Sequence, residues 1–240
     1  MRLGLGVGAI LAAVLLAACG SSAPTGDDFI EIPDLGSTRI DVPRPTSDDV
    51  ACGMAFPAGE SVAERAAALR RIGFFTELAD LSDADLGVVL EQSIAEEWGD
   101  SLDPDDSLHE LFVAERDLSR AWWRDLEADV FDGNGVYAAV LREWAAISAG
   151  TFEPTAIEET WESETGPARV SFELDGDRHV LEPEYLEDWI DPRIVTRVNE
   201  LIAPSGRRFT FVTAFDQTAF VLALTADERT ALEDRGWCFE

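Results

Sequence analysis

The chain has 240 residues, 46% of them apolar, which is enough for one sizeable hydrophobic core. Its 48 acidic residues outnumber 18 basic residues, all of them arginine, and the formal net charge is −30. A negative surface of this size argues against nucleic acid as a partner and against adhesion of the folded part to anionic lipid, so any membrane contact must come from another feature of the chain.

The first predicted element is a short apolar segment. Met1 and Arg2 precede the run LGLGVGAILAAVLL at residues 3–16, an arrangement that is typical of a signal peptide. The run is shorter than the ~20 apolar residues that cross a bilayer as a helix. We therefore expect a targeting segment rather than a permanent membrane span.

Four residues at the end of this segment resemble the lipobox of bacterial lipoproteins. They are Leu16, Ala17, Ala18 and Cys19, a branched apolar residue and two small residues before a cysteine. The resemblance implies that residues 1–18 are a lipoprotein signal peptide and that Cys19 carries a diacylglyceryl thioether, often with a further acyl chain such as palmitate on its amino group. Two or three chains bind a membrane far more firmly than one. The alternative is an ordinary secretory signal cleaved near Ala17 or Ala18, with Cys19 unmodified.

The next region, residues 19–50, is rich in proline, serine, glycine and aspartate and has no sustained apolar period. This composition predicts a flexible tether behind the lipidated cysteine. The short segment FIEI, from Phe29 to Ile32, interrupts it, and the sequence leaves open whether this segment docks on the domain. A single globular domain is predicted for residues 51–240.

The N-terminal half of the domain has a helical pattern. Four helices are predicted from serine or asparagine caps and from apolar residues spaced three or four positions apart. They begin near Ser61, Ser82, Leu111 and Asn134, and the third is expected to continue through Trp122 and Trp123 to Leu126. Ser61 with Glu64 is a predicted capping box, and so is Thr225 with Glu228 at the start of the last helix. Trp122 or Trp123, and Trp144 in the fourth helix, are expected in the core.

Past Gly150 the apolar period changes to alternation, which is typical of strands. Asp175-Gly176 is a strong hairpin turn. About five strands are expected in one antiparallel sheet, at residues 156–163, 168–174, 178–181, 209–214 and 218–224, with further helices after Asp191-Pro192 and after Thr225. The predicted fold class is therefore α+β, a helical N-terminal half followed by an antiparallel sheet with interspersed helices.

Two thiols, Cys52 and Cys238, remain if Cys19 carries lipid. Outside the cytoplasm they are candidates for one intramolecular disulfide, which would join the two ends of the domain. Closing so long a loop is worth ~5 kcal/mol in the chain-entropy model. The alternative is two separate buried thiols, because the sequence does not show whether the two Cα atoms approach within ~7 Å.

Motifs for metal binding and catalysis are incomplete. His109 opens the run HELFV, which begins like the zinc-protease motif HExxH, but Val113 stands where the second histidine belongs. The run DVFDGNG matches part of a calcium loop, but Val130 and Leu141 replace two ligands, so a turn that caps the next helix is the better interpretation. We expect no metal, no cofactor and no assignable catalytic residue.

These observations favour a cell-envelope lipoprotein, anchored to a membrane through Cys19, whose domain outside the cytoplasm binds an envelope protein or peptide. We expect binding rather than catalysis because no complete catalytic set is found, and a long tether suits a domain that must reach a partner. The alternatives are an envelope hydrolase, a glycan-binding module that uses an exposed tryptophan, and a purely structural spacer. The sequence does not single out the acids of such a hydrolase, because a pair such as Glu182 and Glu184 carries little weight among 48 acidic residues. Trp161 is the tryptophan least explained by the core.

Overall fold

The computed structural model describes residues 53–99, 108–212 and 217–239. The predicted signal peptide, Cys19, the tether with its FIEI segment, and Cys52 lie outside these residues, as does the predicted domain boundary at residue 50. The expectations for them therefore stay predictions. Within the described residues, no helix is both long enough and apolar enough to cross a membrane.

Six α-helices and six strands are found in the described residues. The helices are α1 (Val62–Arg71), α2 (Asp83–Trp98), α3 (His109–Glu115), α4 (Val136–Ile147), α5 (Ile194–Ile202) and α6 (Ala226–Glu233). The strands are β1 (Ala121–Asp125), β2 (Thr155–Trp161), β3 (Ala168–Leu174), β4 (Asp177–Leu181), β5 (Arg207–Val212) and β6 (Thr218–Thr225). They form two antiparallel sheets of three strands, in the order β1-β6-β5 in sheet 1 and β2-β3-β4 in sheet 2. This mixture of helices and antiparallel sheets confirms the α+β class.

Sheet 1 is covered on both faces. Its central strand β6 is buried at every position from 219 to 224, and successive side chains enter two different hydrophobic cores. Val221 lies in the core formed with α4, α5 and sheet 2, whereas Leu222 lies in the core formed with α1, α2, α3 and α6. A strand that is buried on both faces needs a continuous apolar run, which explains the sequence AFVLAL.

The predicted helix through Trp122, Trp123 and Leu126 is wrong. Residues 121–125 form strand β1, which pairs with β6 and places Trp122 opposite Val221. Because both faces of sheet 1 are covered, the two adjacent tryptophans enter opposite cores. Adjacent apolar residues also fit one face of a helix, so their spacing alone does not discriminate between the two structures.

The predicted single sheet of about five strands is also wrong, because six strands form two sheets. The hairpin at Asp175-Gly176 is confirmed, with Leu174 of β3 opposite Asp177 of β4. The later strands β5 and β6 pair with β1 rather than with this hairpin. Turn chemistry predicts which neighbouring strands pair, whereas the assignment of hairpins to sheets depends on contacts between distant parts of the chain.

The prediction that Asn134 caps helix α4 is wrong, because a side chain from a strand of sheet 2 caps this helix. The Asn134 side chain donates instead to the backbone oxygen of Asp129 within the preceding loop, and Gly135 takes the N-cap position with a left-handed backbone. Glu159 of β2 accepts the N–H of Ala138 at 2.9 Å. A carboxylate at this end of a helix also interacts favourably with the helix dipole.

Glu159→Ala is expected to lower the free energy of unfolding by about 1–2 kcal/mol, because the first turn of α4 loses an acceptor and a counter-charge. The matched control is Glu158→Ala on the same strand. Glu158 is exposed and lies 3.6 Å from Arg178, so its loss is expected to cost less than about 1 kcal/mol. Chemical denaturation measures both values, and equal losses would contradict the capping role.

The turn at Gly236 lies against the start of the described domain. The N–H of Ala55 donates to the Gly236 oxygen at 3.1 Å, and the rings of Phe56 and Trp237 meet edge to face with centroids 5.6 Å apart. Gly236 has a φ of +98°, and a Cβ there would lie 2.2 Å from the Ala55 oxygen, so only glycine fits. Cys238 follows this turn with 1% of its surface exposed.

The disulfide between Cys52 and Cys238 stays a prediction, and the contact of Ala55 with Gly236 supports it by bringing the residues after Cys52 close to Cys238. Thiol titration of the unreduced, denatured, lipidated chain is expected to find no free thiol. The control is Cys52→Ser, which should release one thiol at Cys238. Two free thiols in the unaltered chain would show that these cysteines are unpaired.

Candidate functional site

Glu110, the acidic residue of the HELFV run, lies in α3 with none of its side chain exposed. Its Oε2 accepts from Arg65 Nη1 at 3.3 Å and from Arg235 Nη2 at 2.7 Å. Its Oε1 accepts from Arg235 Nε and, at 3.1 Å, from Trp237 Nε1. A carboxylate offers about four acceptor positions, and here four N–H groups occupy them, so Glu110 acts in the fold.

Glu60, Arg65, Glu110 and Arg235 together form what we call the buried ion cluster, after its two buried members Arg65 and Glu110; the other two are partly exposed. Arg65 of α1 also donates to the backbone oxygens of Pro57 and Glu60, each at 3.2 Å, and Arg235 binds the carboxylate of Glu60. Burial alone would lower the pKa of Arg235, but its hydrogen bonds to Glu110 and Glu60 raise it. The cluster joins α1, α3 and the turn after α6, so loss of Glu110 would leave two guanidinium groups without their shared counter-charge.

Glu110→Gln is expected to lower the free energy of unfolding by about 3 kcal/mol or more, because it removes one charge from a buried network. The control is Glu200→Gln, which breaks an ion pair with Arg197 in which both side chains are 57% exposed, and its expected cost is within about 0.5 kcal/mol. Urea titration compares the two variants. A loss for Glu110→Gln as small as that of the control would show that the cluster contributes little.

A second carboxylate, Glu228 of α6, is bound by two arginines in a similar way. Arg120 Nη2 lies 2.9 Å from Oε1, and Arg207 Nη1 lies 2.8 Å from Oε2. The N–H of Thr225 donates to Oε2 at 2.7 Å, as part of the predicted capping box, which is confirmed. Burial alone would raise the pKa of Glu228, but Thr225 and the two arginines lower it. Glu228 therefore stays charged and joins α6 to sheet 1.

A depression of about 670 Å³ lies between β4 and α5, and Glu182 and Glu184 are part of its lining. The Oε1 atom of Glu182 accepts from Arg169 Nε at 3.1 Å, and Glu184 binds Arg193. The four side chains are all more than half exposed, so these ion pairs contribute little to stability. Glu182 is thus paired with Arg169, whereas Glu184 shares Arg193 with Asp191.

Asp191 is the buried acidic residue in the lining of this depression. It accepts the backbone N–H of Glu184 at 2.9 Å and that of Arg193 at 3.0 Å. Burial alone would raise the pKa of Asp191, but the hydrogen bonds from Arg193 and Glu184 lower it. The N–H of Asp191 donates to the hydroxyl of Tyr137 at 3.1 Å, and burial raises the pKa of Tyr137 to about 12. Asp191 thus begins the turn into α5 and joins it to α4.

The tryptophan that the sequence singled out is only partly accessible. Trp161 Nε1 donates to Glu159 at 2.9 Å, and its ring meets Tyr185 edge to face with centroids 6.2 Å apart. Trp189, in the loop before α5, is 38% exposed. Trp122 and Trp144 are buried, as expected. Trp189 is therefore a better candidate for stacking on a sugar than Trp161.

An apolar groove of about 420 Å³ runs between β1, the outer strand of sheet 1, and α4. Its lining includes Leu118, Ala121 and Trp122 on the strand side, and Ala146 and Ile147 on the helix side. Leu118 lies in the turn before β1, and 77% of its surface is exposed. We call this feature the β1–α4 groove. An exposed apolar side chain beside a concave apolar surface is typical of a binding site.

Polar contacts join the two walls of the β1–α4 groove. Glu143 of α4 accepts from Trp122 Nε1 at 2.7 Å, and its two oxygens lie 2.9 and 3.1 Å from Arg124 Nη1. These hydrogen bonds connect the helix to the strand, so the groove is formed before any ligand arrives. They also neutralise Arg124, which leaves no unpaired cation at this point of the lining.

The end of β1 carries two exposed carboxylates. Asp125 and Glu127 both accept from the side-chain amide of Gln217, at 3.2 and 2.6 Å, and Asp125 also accepts the N–H of Glu127 at 2.9 Å. These donors are neutral, and in the described part of the chain neither carboxylate has an arginine partner. Two negative charges therefore lie at the end of the strand that forms one wall of the groove.

Sequence reasoning missed the β1–α4 groove because it assigned β1 to a helix. One signal could have indicated it. Leu118 is an isolated apolar residue between the polar residues Asp117 and Ser119, and no adjacent apolar residue in the sequence accounts for it.

Comparison of the chain with protein-family models, with curated proteins and with solved structures finds no significant match.

Proposed function

We propose that this chain is a lipid-anchored binding module of a bacterial cell envelope. In this proposal Cys19 carries the lipid, residues 19–50 are the tether, and the domain binds an envelope protein or peptide outside the cytoplasm. The resemblance of residues 16–19 to a lipobox supports the anchor and the location. The β1–α4 groove supports the binding role.

The observation that carries the binding role is Leu118 at the β1–α4 groove. Full burial of a leucine side chain contributes about 1.5–3 kcal/mol, and 77% of the Leu118 surface is still exposed in the free chain. Because Glu143 already joins the two walls through Trp122 and Arg124, a partner does not have to order the groove on binding.

The carboxylates that arginines bind inside the fold support a binding role over catalysis. Glu110 and Glu228 are each bound by two arginines, and Asp191 is bound by backbone N–H groups and by Arg193. These contacts give each acid a role in the fold. The second candidate function is glycan binding, which the exposure of Trp189 favours.

One experiment with two arms tests the proposal in the native bacterium. In the first arm, Cys19→Ala is expected to release the full chain from the membrane fraction, because the variant lacks the lipidated side chain. Cys52→Ser is the control and should stay in the membrane fraction after an alkaline wash. Retention of the Cys19→Ala variant would contradict the lipid anchor.

In the second arm, a photo-reactive amino acid replaces Leu118 in the anchored chain. It is expected to form one reproducible covalent adduct, which should disappear when Ala146→Arg fills the opposite wall of the groove. The matched control is the same amino acid at Val88 of α2, which is also exposed and apolar but lines neither the groove nor the depression beside β4. Equal labelling from both positions, or an adduct that survives Ala146→Arg, would contradict a binding role for this groove.

A further inference from the structure

We propose that the β1–α4 groove binds an extended, cationic segment of a partner protein in which apolar residues alternate with arginine or lysine. This inference rests on the proposed binding function and adds the chemical class of the partner. Three observations lead to it, namely the shape of the groove, the neutralised arginine in its lining and the two carboxylates at the C-terminal end of β1, just beyond that lining.

The shape of the groove favours an extended ligand. One wall is the outer strand of sheet 1 and the other is a helix, which is the setting in which proteins bind a peptide as an added strand. Successive side chains of an extended segment point to opposite sides. Every second residue of the ligand would therefore meet the exposed apolar lining at Leu118 and Ala146, while the residues between them face solvent.

The charges around the groove favour a cation over an anion. Arg124, the basic residue of the lining, is already paired with Glu143 at 2.9 Å, so an anionic ligand would find no unpaired positive charge there. Asp125 and Glu127 instead share the neutral amide of Gln217. Lysine or arginine side chains of the ligand would supply the missing positive charge.

The net charge of the chain disfavours a second copy as the occupant. Each chain has a formal charge of −30, so two chains repel one another, and the repulsion is strongest at low ionic strength. The same field attracts a basic segment over several ångströms before contact. The negative surface charge that opposes self-association therefore favours the binding of a basic partner.

The test uses the purified full chain in detergent and synthetic peptides as probes. The first peptide alternates valine with lysine, the second alternates valine with glutamate, and the third has the composition of the first with its lysines grouped at one end. Calorimetry is expected to show that the first peptide binds at least about tenfold more tightly than the other two, and that its affinity falls several-fold as salt rises from about 50 to about 300 mM.

Two variants locate the binding. Leu118→Ser is expected to weaken binding of the valine-lysine peptide about fivefold or more, because it removes apolar contact. Asp125→Asn with Glu127→Gln is expected to weaken binding and reduce its salt dependence. The matched control is Asp175→Asn with Asp177→Asn, which removes the same charge at the exposed turn between β3 and β4.

The outcomes separate this inference from the proposed function. Equal binding of all three peptides, or equal effects of the two double variants, would show non-specific adhesion and overturn the inference. If the peptides fail to bind while the adduct at Leu118 still forms in cells, the binding function stands and the cationic partner is wrong. Dimers by sedimentation at high salt that Leu118→Ser abolishes would identify a second copy as the occupant and would also overturn it.

Discussion

The carboxylate of Glu110 is the single group on which one half of the domain depends. It accepts hydrogen bonds from α1 through Arg65 and from the C-terminal turn through Arg235 and Trp237. These segments are far apart in sequence, and local helix propensity does not bring them together. Because Arg65 and Glu110 lie away from water, a half-formed cluster costs more than either the complete cluster or none, so α1, α3 and the C-terminal turn are expected to order together.

The second constraint is that sheet 1 is buried on both faces. Its central strand contributes to both hydrophobic cores, which leaves the outer edge of β1 as a place where the sheet meets solvent. Helix α4 lies over one face of that edge, and Glu143 joins it to Trp122 and Arg124. The β1–α4 groove thus lies where an outer strand of sheet 1 meets the helix that covers one face of the sheet. The contacts of Glu143 that stabilise the fold also shape this groove.

Local chemistry predicted much of the fold. The capping boxes at Ser61 and Thr225 and the hairpin at Asp175-Gly176 depend on residues close in sequence, and all are confirmed. The errors share a different cause. The strand at residues 121–125 and the cap of α4 by Glu159 both depend on partners distant in sequence, and no local pattern identifies such partners. The groove was missed for the same reason, since neither its strand wall nor its contact with α4 has a signature within one segment.

The placement of charge connects stability to recognition. The chain has 18 basic residues against 48 acidic ones, and several of its arginines bind the buried Glu110 and the partly buried Glu228, where the forked guanidinium donates to more than one acceptor. Fewer cations remain for surface acids such as Asp125 and Glu127. Added salt screens the surface repulsion and so stabilises the fold, but it also screens the attraction of a cationic partner, while the buried ion cluster responds little. Because stability and partner binding should respond to salt in opposite directions, ionic strength distinguishes the electrostatics of the fold from those of the groove.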